Sequence, residues 1–191
     1  VSSTKRSQKR YEHDQDYYVT PIDEIVKFLQ EFQKHEPTVL QGKILDPCAG
    51  GDSTHEMSYP KALQQVGAIH IDTIDIRENS LAKVKGNFLE LDAKGYDLII
   101  TNPPFAVAQP IILKALEEVN LGGFVVMLLR LNYFGGKARF GFWKDNMPKY
   151  TFVHSRRMSF TDDKKTDSIE YMHVVWQKGL YPEFTQLKVV A

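Results

Sequence analysis

Asn102-Pro103-Pro104-Phe105 directly follows the apolar run Tyr96-Asp-Leu-Ile-Ile-Thr101. Two consecutive prolines donate no backbone N–H and fix φ, so they hold a carbonyl and the preceding amide side chain rigidly outward at a strand end. That arrangement suits a planar NH2 group. The Asn102 Oδ1 atom and a backbone carbonyl can each accept one of its hydrogens, which draws the nitrogen toward sp3 and frees its lone pair for attack. Phe105 offers a face for the ring that carries the amine. Taken alone, Asn-Pro-Pro is also ordinary turn chemistry, and the residues upstream decide between the two.

Asp46-Pro47-Cys48-Ala49-Gly50-Gly51 closes a short strand over 42–46, and its small residues let a ligand approach the backbone. Ile69 to Asp75 alternates strictly and reads as a second strand. Asp75 at its end stands where a nucleoside-binding α/β fold keeps a carboxylate for ribose hydroxyls; capping the next helix is its other reading. Gly-x-Gly-x-x-Gly is absent and no phosphate cradle is evident. A cofactor with a ribose but no phosphate fits better than a dinucleotide.

The elements that must position these residues alternate along the chain. Thr20 as N-cap, Pro21 at the first helical position and acids in the first turn start a helix, whose stripe Ile22, Ile25, Val26, Leu29, Phe32 faces a core. Its end is at His35-Glu36-Pro37. A helix is expected around 59–65, a short one over 78–84, a third strand over 86–89 and a fourth over 96–101. Then follow an amphipathic helix over 107–119, a continuous apolar strand over 124–131, and strands near 150–156 and 170–177. This pattern predicts an α/β fold with a parallel sheet, helices on both faces and ligands at the carboxyl ends of the strands.

With 191 residues, the chain fits one domain. No run approaches the roughly 20 apolar residues of a membrane helix. Its one cysteine, Cys48, excludes an internal disulfide, and with no apolar leader at the start this implies a reducing, cytoplasmic setting. None of the six histidines has metal-ligand spacing, so no metal is assigned. The net charge is zero, which argues against a generic polyanion binder, yet residues 130–165 hold nine Lys/Arg against three Asp/Glu. That stretch of the chain is basic and the remainder acidic. Residues 1–16 read as a disordered basic arm, and 17–191 as a single domain.

Thr20-Pro21, the Asp46-Pro-Cys-Ala-Gly-Gly turn, Asp75-Ile76, Gly86-Asn87-Phe88 and Asn102-Pro-Pro-Phe105 occur in the order seen in S-adenosylmethionine-dependent amino-methyltransferases. The chain most resembles the DNA adenine-N6 type with the cofactor motifs before the catalytic one. Short bacteriophage forms are particularly similar, Met57-Ser-Tyr-Pro60 and Thr166-Asp-Ser-Ile-Glu-Tyr171 included. The resemblance covers residues 17 to about 177 and implies a Rossmann-like class I methyltransferase fold, a mostly parallel seven-stranded sheet with an antiparallel last strand.

It also implies roles. Tyr18 and Thr20 would bind the cofactor, Thr20 at the methionine carboxylate beside a helix N-terminus. Asp46, Pro47, Cys48, Ala49 and Gly50 would hold the methionine portion. Asp75 would take the ribose hydroxyls, Ile76 and Phe88 pack on the adenine, and Asn87 accept from its N6, with Asp92 as a rival for that bond. Asn102, Pro103, Pro104 and Phe105 would grip the target amine, which attacks the sulfonium methyl in line and needs no general base.

A base inside a duplex must be flipped out to reach such a pocket, and Phe160 is the candidate for a second stacking face. Lys137, Arg139, Arg156 and Arg157 would contact DNA phosphates, with Lys144, Lys149, Lys164 and Lys165 in the same basic region. Phe134-Gly135-Gly136 is a candidate hinge. Adenine N6 in DNA is the leading substrate. Cytosine N4, an RNA base, a protein glutamine, or a catalytically silent S-adenosylmethionine-binding partner subunit are the alternatives. With no separate target-recognition domain, only the loops at 132–149 and 158–168 remain to read sequence, alone, in a homodimer or with a specificity subunit.

Overall fold

The middle of the sheet is built from apolar runs that carry charge only at their carboxyl ends, as strands covered on both faces do. In the computed structural model, the described residues are 19–160 and 168–191; the basic arm, Tyr18, Lys164 and Lys165 lie outside them. Eight strands are present: β1 (Ile44–Asp46), β2 (Ile71–Asp75), β3 (Val84–Lys85), β4 (Leu98–Thr101), β5 (Phe124–Arg130), β6 (Tyr150–His154), β7 (Tyr171–Gln177) and β8 (Gln186–Val190). Their spatial order is β3-β2-β1-β4-β5-β7-β6-β8. Only β7 runs antiparallel, against both β5 and β6, so the seventh strand is reversed as expected.

Side chains alternate between two cores. Leu98, Ile100, Val126, Leu128, Tyr171 and Val175 face α1 (Ile22–His35) and α2 (Ser58–Gln65), whose Phe28, Phe32, Tyr59 and Leu63 complete that side. Ile99, Val125, Met127, Leu129, Met172 and Val174 face α3 (Ala108–Glu118) and α4 (Phe140–Asp145), meeting Ile111, Ile112, Phe142 and Trp143. The period-two register therefore decides which ligand-side residues look toward which helix.

Several local expectations differ from the structure. Residues 86–89 are not a strand: Asn87 Oδ1 accepts the Leu89 N–H (3.1 Å) and closes a turn there, leaving β3 two residues long. No helix forms over 78–84, where the Lys83 N–H goes to Thr73 Oγ1 (2.8 Å) instead of a helical carbonyl. Pro21, not Thr20, occupies the cap of α1, and no side chain caps it. Strand β8 was not foreseen, because Leu187 and Val189 are exposed and only Val190 is buried, so its apolar pattern carries no core signal. Lys149 is removed from the basic region near the strand ends. It precedes β6, a strand parallel to β5 through β7, and so lies at the opposite end of the sheet, bonded to Glu36 (2.5 Å) and Gln177 (2.8 Å). None of the described helices is long and apolar enough to cross a membrane.

Candidate active site

The carboxyl ends of β1, β2 and β4 bring the two upstream motifs and the Asn102 turn to one edge of the sheet. Asp46 ends β1 fully buried, and its Oδ1 accepts the Cys48 N–H (3.2 Å) while Oδ2 is buried without a partner. Burial pushes this carboxyl up to about 7, with the Asp75 carboxylate acting in the same direction. Burial likewise pushes the half-buried Cys48 thiol up, beside the same two carboxylates, away from the thiolate form.

Gly50 and Gly51 both have positive φ (66° and 72°), and a Cβ on Gly51 would come within 2.7 Å of Met57 Cγ, so the turn requires glycine there. The Ala49 N–H goes to the Ile74 carbonyl (3.0 Å) and the Gly50 N–H to Asp75 Oδ2 (2.7 Å). The turn is thus sewn to the end of β2, and those two N–H groups serve the fold.

Asp75 Oδ1 caps the next turn by accepting the Arg77 N–H (2.8 Å) and also takes the Arg77 Nε–H (3.3 Å), while Oδ2, which accepts the Gly50 N–H, retains acceptor capacity. Arg77, which sequence reading did not single out, also reaches the Gly51 carbonyl (3.1 Å) and clamps the two loops together. Ile76 is 54% exposed beside Asp75, and Leu81, 50% exposed, bonds its N–H to the Gly50 carbonyl (3.2 Å). Two apolar side chains therefore stand uncovered at the mouth of the turn. Phe88 is buried in the α3-side core under Lys114, while Asn87 uses its amide on Glu90 (2.8 Å) and Asp92 is exposed.

At β4, Asn102 Nδ2 donates to Thr20 Oγ1 (3.0 Å), which fixes the amide and leaves Oδ1 buried with no partner. Pro103 is buried, and the Pro104 carbonyl accepts the Val107 N–H (3.1 Å) of a 3₁₀ turn over Phe105–Val107 that leads into α3. Phe105 packs against Tyr171 (centroids 6.2 Å apart), and Phe160 packs edge-on against the other side of this group, 4.8 Å from the same Tyr171 ring. Arg130, the last residue of β5, places Cζ 4.4 Å over the Phe105 ring. Arg130 and Tyr171 escaped the sequence reading; the signal for Arg130 was a lone cation closing an apolar strand.

The basic candidates separate. Lys137, Lys144 and Arg156 are exposed. Arg139 bonds back to the Tyr133 (2.8 Å) and Gly135 (2.7 Å) carbonyls and braces its own loop, and Arg157 pairs with Glu170 (3.0 Å).

Beneath the site runs a buried polar chain: Glu24 to His154 (3.3 Å), His154 to His173 (2.7 Å), His173 to the Tyr59 hydroxyl (2.8 Å). One proton arrangement satisfies it, with Tyr59 and both imidazoles each donating once toward Glu24. Burial holds both histidines below their usual range, that of His173 well below. Among the described residues no three His, Cys, Asp or Glu side chains gather as a metal site.

The fold is that of Rossmann-like class I methyltransferases. The chain superposes on a protein from Listeria monocytogenes proposed to be a class I S-adenosylmethionine-dependent methyltransferase (TM-score 0.61, 14% identity, 90% of this chain and 65% of that one). It superposes also on a proposed RNA methyltransferase from Pyrococcus horikoshii (TM-score 0.66, 16% identity, 87% and 88%). The type IIG restriction endonuclease BpuSI matches with TM-score 0.68 at 14% identity over 95% of this chain, which spans only 28% of that enzyme. No protein-family model and no curated protein sequence matches the chain.

Proposed function

We propose that the protein transfers a methyl group from S-adenosylmethionine to an exocyclic amine of a DNA base, adenine N6 in first place. One observation carries this reading: Thr20 turns the Asn102 amide so that Oδ1, a buried acceptor without a donor, is left at the end of β4. A buried unsatisfied acceptor is unfavourable unless a ligand supplies the donor, and an NH2 group does so.

The cofactor fits the residues present on the same kind of observation. Asp46 Oδ2, buried and outside normal hydrogen-bond geometry although the Thr101 hydroxyl acts on this carboxyl, matches the ammonium of a methionine moiety. Asp75 would accept from the ribose hydroxyls, with Ile76 and Leu81 covering the adenine. Bound S-adenosylmethionine supplies an electrophilic sulfonium methyl. The Thr20 hydroxyl, having accepted from Asn102, still has its own proton to donate to the cofactor carboxylate. Asn102 Oδ1 and the Pro103 carbonyl then orient the substrate amine and stabilise the charge that develops on nitrogen as it attacks. Phe105, Tyr171 and Phe160 form an aromatic group for a base held outside its duplex.

The exposed Lys137, Lys144 and Arg156 support a nucleic acid over a protein substrate. Asn rather than Ser or Asp at 102 supports adenine over cytosine. The test is transfer of labelled methyl from S-adenosylmethionine to duplex DNA, single-stranded DNA and RNA, followed by nucleoside analysis. N6-methyladenine in DNA is expected; N4-methylcytosine without it would sink the adenine assignment.

A further inference from the structure

Among the described residues, Arg130 is a cation without an anion. Its Nε is buried with no hydrogen-bond partner, and among the described residues no carboxylate pairs with its guanidinium. Glu170, which precedes the β7 residue registered opposite Arg130, has its carboxylate on Arg157 (3.0 Å) instead. The Phe105 ring lies 4.4 Å beneath Arg130 Cζ. An aromatic face attracts the charge but gives the Nε–H no acceptor. Holding that donor away from water is unfavourable, and the fork it forms with the terminal amino groups matches the paired oxygens of a phosphate.

Position completes the argument. Met127 pairs with Thr101 at the end of β4, and β5 continues past it to Arg130, so the cation stands beside the Asn102 turn. It also covers one face of Phe105. A base whose amine Asn102 holds therefore finds this face of Phe105 already taken by the guanidinium. The sugar-phosphate chain attached to that base is then what can come round to Arg130.

We propose that Arg130 is the phosphate-binding residue for the target nucleotide, gripping the backbone phosphodiester next to the base whose amine Asn102 holds. Phe105 is the plate that keeps the guanidinium in place. This rests on the nucleic-acid reading above and goes beyond it by naming the group that anchors the flipped nucleotide.

The experiment measures binding and methylation of short DNA duplexes, unmodified or with a single neutral methylphosphonate at each position flanking the target base, by wild type, Arg130→Gln and Arg130→Lys. Wild type should lose about tenfold in affinity at one methylphosphonate position. Arg130→Gln should show a similar loss on unmodified DNA, indifference to that position, and a slope of log Kd against log salt shallower by about one. Arg130→Lys should restore the slope and only part of the affinity. S-adenosylmethionine affinity and thermal stability should stay at the wild-type level throughout.

Arg130→Gln with an unchanged salt slope and full methylphosphonate sensitivity overturns the proposal, as does a parallel loss of cofactor affinity and stability. Weaker binding at unchanged slope, with sensitivity moved to base analogues, assigns Arg130 to the base edge and overturns it too. A wild type that binds and methylates no nucleic acid removes the underlying function, and that result appears without any variant.

Discussion

Asn102 Nδ2 donates to Thr20 Oγ1 over 3.0 Å, across 82 positions of sequence, and this one bond ties the segment entering α1 to the turn that leaves β4. It leaves Oδ1 as the only amide atom available to a substrate. In the proposed function Thr20 is a positioning residue for Asn102. Thr20→Val should lower kcat about tenfold, equivalent to about 1.4 kcal/mol, with little change in fold stability. Thr20→Ser should recover most of the rate, because the hydroxyl is what matters. Steady-state kinetics with thermal melts check this; a Thr20→Ser variant as slow as Thr20→Val would show that packing, not the hydrogen bond, carries the effect.

Asn102→Ala removes an acceptor that the isolated fold leaves unsatisfied. Its melting temperature should equal or exceed that of wild type, while turnover falls by about 100-fold or more, on the order of 2.7 kcal/mol. S-adenosylmethionine binding, measured by calorimetry, should persist. A loss of cofactor affinity as large as that of Asp75→Ala would count against the division of labour between the two turns.

Asp46 makes stability fall with rising pH. Its folded pKa, about 7, lies above the unfolded value near 3.9, so between those limits the folded state holds a proton that the unfolded state has released. The penalty is complete above pH 7. Asp46→Asn should therefore melt higher than wild type at pH 8, and the gap should shrink steadily toward pH 4. The same variant should bind S-adenosylmethionine more weakly, since it loses the anionic acceptor for an ammonium.

The buried histidines act in the opposite sense. Burial lowers the folded pKa of His154 and, more strongly, of His173, so the unfolded state takes up protons first, and stability is lost as pH falls below about 6.5. Glu24, held below its usual range by Lys27 and His154 against the effect of burial, adds to acid sensitivity at lower pH. His154→Gln keeps a polar bridge but cannot titrate. Its melting temperature should decline less than that of wild type between pH 7 and pH 5; equal slopes would assign the acid sensitivity elsewhere.

The sequence by itself determined the α/β class, because that rests on local rules, while the reversed seventh strand followed from the family resemblance. Apolar runs at period two or 3.6 announce buried strands and amphipathic helices, and proline and glycine restrict backbone wherever they occur. Local rules also failed locally. An Asn87 side chain that closes a turn erased an expected strand, and β8 carries no burial pattern to read.

Tertiary structure alone decided which distant groups meet. Thr20 looks like a helix cap from its neighbours, yet its hydroxyl bonds to Asn102, because even-numbered positions of β4 face the α1 side of the sheet. Lys149 reads as one more basic residue after the catalytic turn, but strand direction carries it to the far end. Arg130 closes an apolar run, and only the fold sets it over the Phe105 ring with its Nε buried and unpaired. Hydrogen-bond partners and unpaired charges are properties of three-dimensional juxtaposition, and periodicity along the chain does not encode them.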